Sequence, residues 1–181
     1  MLATRIVSQM MENDRFSQWL GIEVQEVKEG YCRLFMVVRE DMVNGFGIAH
    51  GGISFSLADS ALAFASNSRN KKSLVLDASM SFTAPVNNGD QLIAEAVESN
   101  VTRSTGIYHI TVTNQNGKKV AFFKGIVFHN IEDRCKSLML YHFEVVFGLN
   151  YTRLHIAAGF ITCAAEHSTF DQLFSSLLFY F

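Results

Sequence analysis

The sequence predicts an α+β domain in which a curved antiparallel sheet wraps around one long buried helix, with a further helix at the N-terminus. Three observations lead there. The order of periodic segments is helix, two strands, helix, then four strands. The second helical segment is apolar on nearly every face, which marks a helix buried on most sides. Such a helix needs a layer of sheet to cover it. Strong turn chemistry also separates the last four strands, closing with Asn116-Gly117.

Residues 3–20 read as the N-terminal helix, with Ile6, Met10 and Met11 on one stripe, Phe16, Trp19 and Leu20 following Asp14, and Gly21 as the stop. Ile22, Val24 and Val27 read as a first strand. Glu29-Gly30 reads as a tight turn and Tyr31–Val38 as the returning strand of a hairpin. Residues 39–50 form a polar, glycine-containing loop. Gly51–Asn67 is rich in Ala and Leu and free of proline, and its length gives a helix of about four to five turns. Strands are expected at Ser73–Phe82, Asp90–Arg103, Gly106–Asn114 and Lys118–Phe128.

Composition bounds the possibilities. The chain has 181 residues, 15 Lys and Arg against 17 Asp and Glu, and 49% apolar residues. This balance argues against a nucleic-acid binder, which would carry a basic stripe, and against disorder. Cys32, Cys135 and Cys163 show no disulfide framework or zinc spacing, which fits reduced thiols packed as small hydrophobes in a cytoplasmic protein. The first nineteen residues lack the apolar core of a signal peptide. The uncharged run Leu154–Ala165 is shorter than the ~20 residues that span a bilayer, so no membrane partner is expected.

The domain is expected to occupy residues 1–132. Residues 133–181 form a separate, aromatic-rich tail holding seven of the sixteen Phe and two of the three Cys. Translation in a non-native reading frame would explain its composition. A lid or extra interface and a membrane-surface segment are the alternatives, the last with little basic charge to support it.

The chemistry concentrates in residues 44–67. Asp59 lies mid-helix, with Phe55, Ser56, Leu62 and Ala63 three and four positions away. A carboxylate in such surroundings, without a basic partner, has its pKa raised by desolvation, which suits a general base or nucleophile near neutral pH. A carboxylate satisfied by Ser or backbone, or exposed at a subunit edge, is the alternative. His50-Gly51-Gly52 precedes the same helix. Free N–H groups there attract developing negative charge, and glycine permits close approach, the make-up of an oxyanion hole. A simple turn has the same composition. Gly51 and Asp59 are eight residues apart, ~12 Å along one helix. If both act on one carbonyl they must come from two chains, so the sequence predicts at least a dimer with a shared site.

The run NGFGIAHGGISFSLADSALAFASNS, with DASMSFTAP at 77–85 and Gly89-Asp90 and Gly106-Ile107-Tyr108 beyond it, resembles the PaaI-like (phenylacetate-pathway) hotdog-fold thioesterases over residues 3–131. The resemblance implies hydrolysis of an acyl-CoA, favouring an arylacetyl-CoA such as phenylacetyl-CoA or a hydroxylated derivative, by a homodimer or homotetramer. It implies Asp59 as the carboxylate that attacks the carbonyl or activates water, and the partner's Gly51 N–H as its polariser. Asn44 would position water or thioester, and His50 would order the loop. Gly52, Asn67, Arg69, Arg103, Ser104, Thr105 and Gly106 are its candidate substrate-binding positions, with Lys71 and Lys72 as further basic candidates for CoA phosphates. Ordinary solvated charge is the alternative for each basic residue. No metal or cofactor is expected: the remaining histidines lack metal spacing, and neither a Gly-rich phosphate loop nor a GxSxG elbow is present. A non-catalytic acyl-CoA sensor and a hotdog dehydratase or hydratase remain as competing functions.

Overall fold

A computed structural model describes residues 2–133; the tail expectations for residues 134–181 lie outside the described residues. The elements are α1 (Leu2–Asn13), α2 (Arg15–Leu20), β1 (Glu23–Lys28), β2 (Tyr31–Val37), α3 (Gly51–Asn67), β3 (Lys71–Phe82), β4 (Gln91–Val101), β5 (Thr105–Thr113) and β6 (Lys119–Asp133). The six strands form one antiparallel sheet in the order β1-β2-β4-β5-β6-β3. The helix α3 packs against β2, β3, β4 and β5, the hotdog arrangement.

The expected single N-terminal helix is two. Asp14 interrupts it because its carboxylate does better as a cap: it accepts the Ser17 backbone N–H at 3.0 Å and the Ser17 hydroxyl at 2.6 Å. Ser17 Oγ also lies 2.9 Å from Ser60 Oγ, tying α2 to α3. Gly21 ends α2 in the left-handed conformation at φ 75°. On α1, Ala3, Ile6 and Val7 are buried, the spacing of one helical face.

The sheet supplies the core by period-two alternation. Cys32, Leu34 and Met36 of β2 lie opposite Ala96, Ala94 and Leu92 of β4, and all six are buried. Ile110 and Val112 of β5 continue the layer to Phe123 and Ala121 of β6. Burial pushes the Cys32 thiol up to about 12, so it packs as a neutral hydrophobe.

Small residues let α3 approach the sheet closely. A Cβ on Gly125 of β6 would sit 2.3 Å from a terminal methyl of Leu62, which is itself fully buried. Gly52, Ser56 and Asp59 lie on the part of α3 that is left partly open, beside Phe55, whose ring meets Phe123 of β6 edge-on at 5.1 Å, and Ala63, which packs against the core. Among the described residues, β3 at the far edge of the sheet pairs only with β6 and exposes Leu74, Val75 and Leu76. Among the described residues, no helix is long and apolar enough to cross a membrane.

The Gly125–Leu62 contact makes a sharp test. Gly125→Ala is expected to cost about 1–3 kcal/mol through overpacking, read as a lower denaturation midpoint in urea, and Leu62→Ala in the same chain should recover part of it.

Candidate active site

Two short pairings hold the loop before α3: the bridges Val43↔Ala49 and Ile48↔Asn87. Within it the Asn44 N–H donates to Ile48 O at 2.7 Å and the Gly47 N–H to Asn44 O at 3.0 Å. Gly47 adopts φ 76°, a conformation that favours glycine. Asn44 Oδ1 accepts the Phe46 N–H at 2.9 Å. With its oxygen so engaged, the Asn44 side chain keeps its amide nitrogen as the outward donor.

His50 is the N-cap of α3. Its Nδ1 accepts the Gly52 N–H at 3.0 Å, so that nitrogen carries no proton in the capped state. This spends the Gly52 donor. A side chain at Gly52 would also press on the imidazole, with a Cβ only 3.0 Å from Nδ1. The Gly52 N–H therefore serves the cap. The Gly51 N–H has no acceptor among the described residues and is the donor left bare at this helix end.

Asp59 lies two turns further on, on the open face of α3, half-buried. Among the described residues it has no basic partner, and burial raises its carboxyl above the ordinary aspartate value. A raised carboxylate is a stronger base once ionised.

The remaining expected residues gather at the opposite end of α3, and most have structural duties there. Asn67 is 2% exposed. Its amide donates to Ala63 O at 2.9 Å and Ser73 O at 3.3 Å, and its oxygen accepts the Ser73 N–H at 3.1 Å. It fastens α3 to β3 and has no reach to a ligand. Arg69 is likewise committed: its Nε and Nη2 donate to both oxygens of Glu98 at 2.8 and 2.9 Å, and Nη1 to Glu29 at 3.2 Å. Burial pulls the Glu98 carboxyl upward, but Arg69 and the Tyr108 hydroxyl hold it below its usual value. Gly106 is buried, and a Cβ there would meet His129 Nε2 and Tyr108 at 2.9 Å each, so its place is filled by packing. Arg103, Ser104 and Thr105 form the exposed β4–β5 turn, in which Thr102 Oγ1 accepts the N–H groups of Ser104 and Thr105. Among the described residues, this turn and the exposed Lys72 at the start of β3 stay open to a ligand at that end.

A groove of about 450 Å³ opens between α1, α2 and β1, lined by Val7, Met11, Gln18, Ile22 and Val24 among others, and holds none of the candidate residues. Among the described residues, no group of His, Cys, Asp or Glu could hold a metal ion. Sequence reasoning missed the Arg69–Glu98–Tyr108 cluster, whose members are 29 and 10 residues apart and carry no local signal.

Comparison with known proteins agrees with the fold. Residues 46–121 match the model of the thioesterase superfamily. The chain is 38% identical over 132 residues to a putative esterase of Archaeoglobus fulgidus, covering 73% of this chain and 86% of that one. It is 39% identical over 116 residues to the acyl-coenzyme A thioesterase PaaI of Escherichia coli, covering 64% and 83%. The solved structure of that PaaI protein superposes with a TM-score of 0.70 at 37% identity, over 72% of this chain and 94% of the other. The smu.793 protein of Streptococcus mutans, solved bound to acetyl CoA, superposes with a TM-score of 0.59 at 26% identity, over 60% and 88%.

The lone, desolvated Asp59 has a consequence for stability. With its folded pKa raised, the carboxyl holds its proton more tightly in the folded state, so the fold loses stability as pH rises from the unfolded aspartate value through the folded one. Asp59→Asn should therefore raise the melting temperature at pH 7.5 relative to wild type, with the gain vanishing below about pH 4.

Proposed function

The chain belongs to the thioesterase superfamily and is a thioester hydrolase, and from that premise we propose that it cleaves acyl-CoA to a free acid and CoA, with an arylacetyl-CoA as the favoured substrate. The observation that carries this reading is an unpaired, half-buried carboxylate on the open face of a helix whose N-terminus presents a bare N–H. The named activity of the PaaI relative and the acetyl CoA bound to the Streptococcus mutans protein support the substrate class.

The reaction is R–CO–S–CoA plus water giving R–COOH and HS–CoA. The Gly51 N–H receives the carbonyl oxygen, and its charge grows as the tetrahedral centre forms. Ionised Asp59 either removes a proton from the attacking water, the C–S bond then breaking to release CoA thiolate that takes up that proton, or attacks the carbon itself, expelling CoA thiolate and leaving a mixed anhydride that water hydrolyses while the thiolate takes up a proton from that water. The Asn44 amide nitrogen orients the water or the thioester oxygen. His50 holds the loop by capping α3. The Arg103–Thr105 turn and Lys72 are the open part of the expected CoA contacts.

Eight residues of helix separate Gly51 from Asp59 by ~12 Å, so the proposed site needs two copies with their α3 helices antiparallel. The unpaired edge of β3, with Leu74 and Leu76 each about 60% exposed, fits continuation of the sheet into a second copy. A homodimer or a tetramer of such dimers satisfies the geometry. We place the protein in the cytoplasm on its thiol usage, with residues 1–132 as the catalytic domain and 133–181 as an appendage.

Thiol release from a panel of acyl-CoAs tests the reading. Asp59→Asn should lower kcat by at least about a hundredfold, the usual worth of a positioned base. Equal rates in the two proteins would overturn the assignment, and an active monomer in light scattering would overturn the shared site. Because Asp59 must be ionised and its pKa is raised, kcat/KM should fall on the acid side at a pH above the ordinary aspartate value near 3.8.

A further inference from the structure

A side chain at Gly51 would meet the ring of Phe82. The φ of Gly51 is not positive, so the backbone alone does not demand glycine. A Cβ there would lie 3.3 Å from Cζ of Phe82, 3.5 Å from Cε1 and 3.8 Å from Cε2. The tip of the Phe82 ring thus rests on the residue whose N–H is bare.

Phe82 is the last residue of β3 and pairs with Ala121. The next two residues, Thr83 and Ala84, both donate backbone N–H groups to Val120 O, at 2.9 and 3.3 Å, so the ring is carried on a fixed backbone. Yet Phe82 is 56% exposed. One edge of the ring is spent on Gly51 and the rest is free to meet something else. Thirty-one residues of sequence separate the two, and no motif links them.

We propose that Phe82 is the residue that selects the acyl group, an apolar wall beside the Gly51 N–H that favours flat aromatic acyl chains over short aliphatic ones. This rests on the reading of Gly51 as the donor to the thioester carbonyl. An acyl oxygen accepting that N–H at about 2.9 Å brings the first carbons of the acyl chain within a few ångströms of the Gly51 Cα, where the ring tip already sits. A phenyl group attached there meets the exposed part of the Phe82 ring, and offset or edge-to-face contact adds to the area buried. An acetyl group is too short to use the ring. The same wall keeps water from one side of the donor, where a hydrogen bond to developing charge gains from a lower local dielectric.

The test compares two ligands within each protein, so a general loss of folding or assembly cancels. The full chain is titrated calorimetrically with S-(2-oxo-3-phenylpropyl)-CoA and S-(2-oxopropyl)-CoA, thioether ketones that present a carbonyl but cannot be hydrolysed. Wild type should prefer the phenyl ligand. In Phe82→Ala that preference should fall about tenfold, and in Phe82→Leu, which keeps an apolar wall but loses the ring, by less. A preference that changes by less than twofold in Phe82→Ala overturns the proposal, even if both affinities drop together. So does a wild type that binds neither ligand. Thiol release separates this from the parent reading: release that depends on Asp59 with an unchanged ligand preference removes Phe82 alone. A shifted preference without any release leaves Phe82 as a selector in a binding protein and removes hydrolysis.

Discussion

Every distance that matters to the chemistry is set by the seating of α3 in the concave face of the sheet. The seat is tight because the residues beneath the helix are small. Gly125 admits Leu62 where no side chain fits, and Ala94 and Ala96 are buried in the strands beneath. Close packing of this kind leaves few alternative positions for a helix of this length. Gly51 and Asp59 are therefore two points on a rigid rod, and the gap between them cannot be closed by local motion. In the proposed reaction, the requirement for a second copy follows from that rigidity.

The two ends of the rod are built on opposite principles. At the C-terminal end the polar groups are nearly all satisfied internally. Asn67 and Ser73 exchange hydrogen bonds, Ser73 Oγ lies 2.8 Å from His129 Nδ1, and Arg69 neutralises a Glu98 side chain that is only 16% exposed. Withdrawing Arg69 to bind a phosphate would leave that carboxylate desolvated and unpaired, a penalty larger than a surface ion pair returns. At the N-terminal end the donors are left open instead: the Gly51 N–H and the amide nitrogen of Asn44. One end anchors the helix, and the other end is free to bind.

This division explains what could be read from the sequence and what could not. The limits of α3 were legible to the residue, because an Ala- and Leu-rich run without proline lies between a His-Gly-Gly start and the Asn67-Ser68 exit. The raised pKa of Asp59 was legible as well, since its three- and four-residue neighbours carry no base. The break at Asp14 was less so: the helical stripe runs past it, and only the reach of its carboxylate to Ser17 shows that the cap wins over the continuous helix. The internal partners of Asn67, Arg69 and Gly106 were not legible, for a common reason. Their partners are Ser73, Glu98 and His129, on strands whose register no local pattern discloses. The contact of Phe82 with Gly51 belongs to the same class.

The open face of α3 joins stability to function. A carboxylate fully buried without a partner would cost the fold several kcal/mol, and a fully exposed one would keep an ordinary pKa and a weak base. Asp59 sits between these limits, half-buried, with desolvation as the cause of its shift. Within one chain the burial is incomplete because the side of α3 bearing Gly52 and Ser56 stays partly open. A second helix laid along that side, as the proposed dimer requires, would remove more water from Asp59 and bring a bare N–H within reach of the same carbonyl. In the proposed dimer, assembly would do two things at once: raise the basicity of the carboxylate and supply the positive dipole that offsets the charge developing on the substrate. A chain that paid the full desolvation cost before assembly would be a poorer folder, so the half-buried position of Asp59 suits a site completed by association.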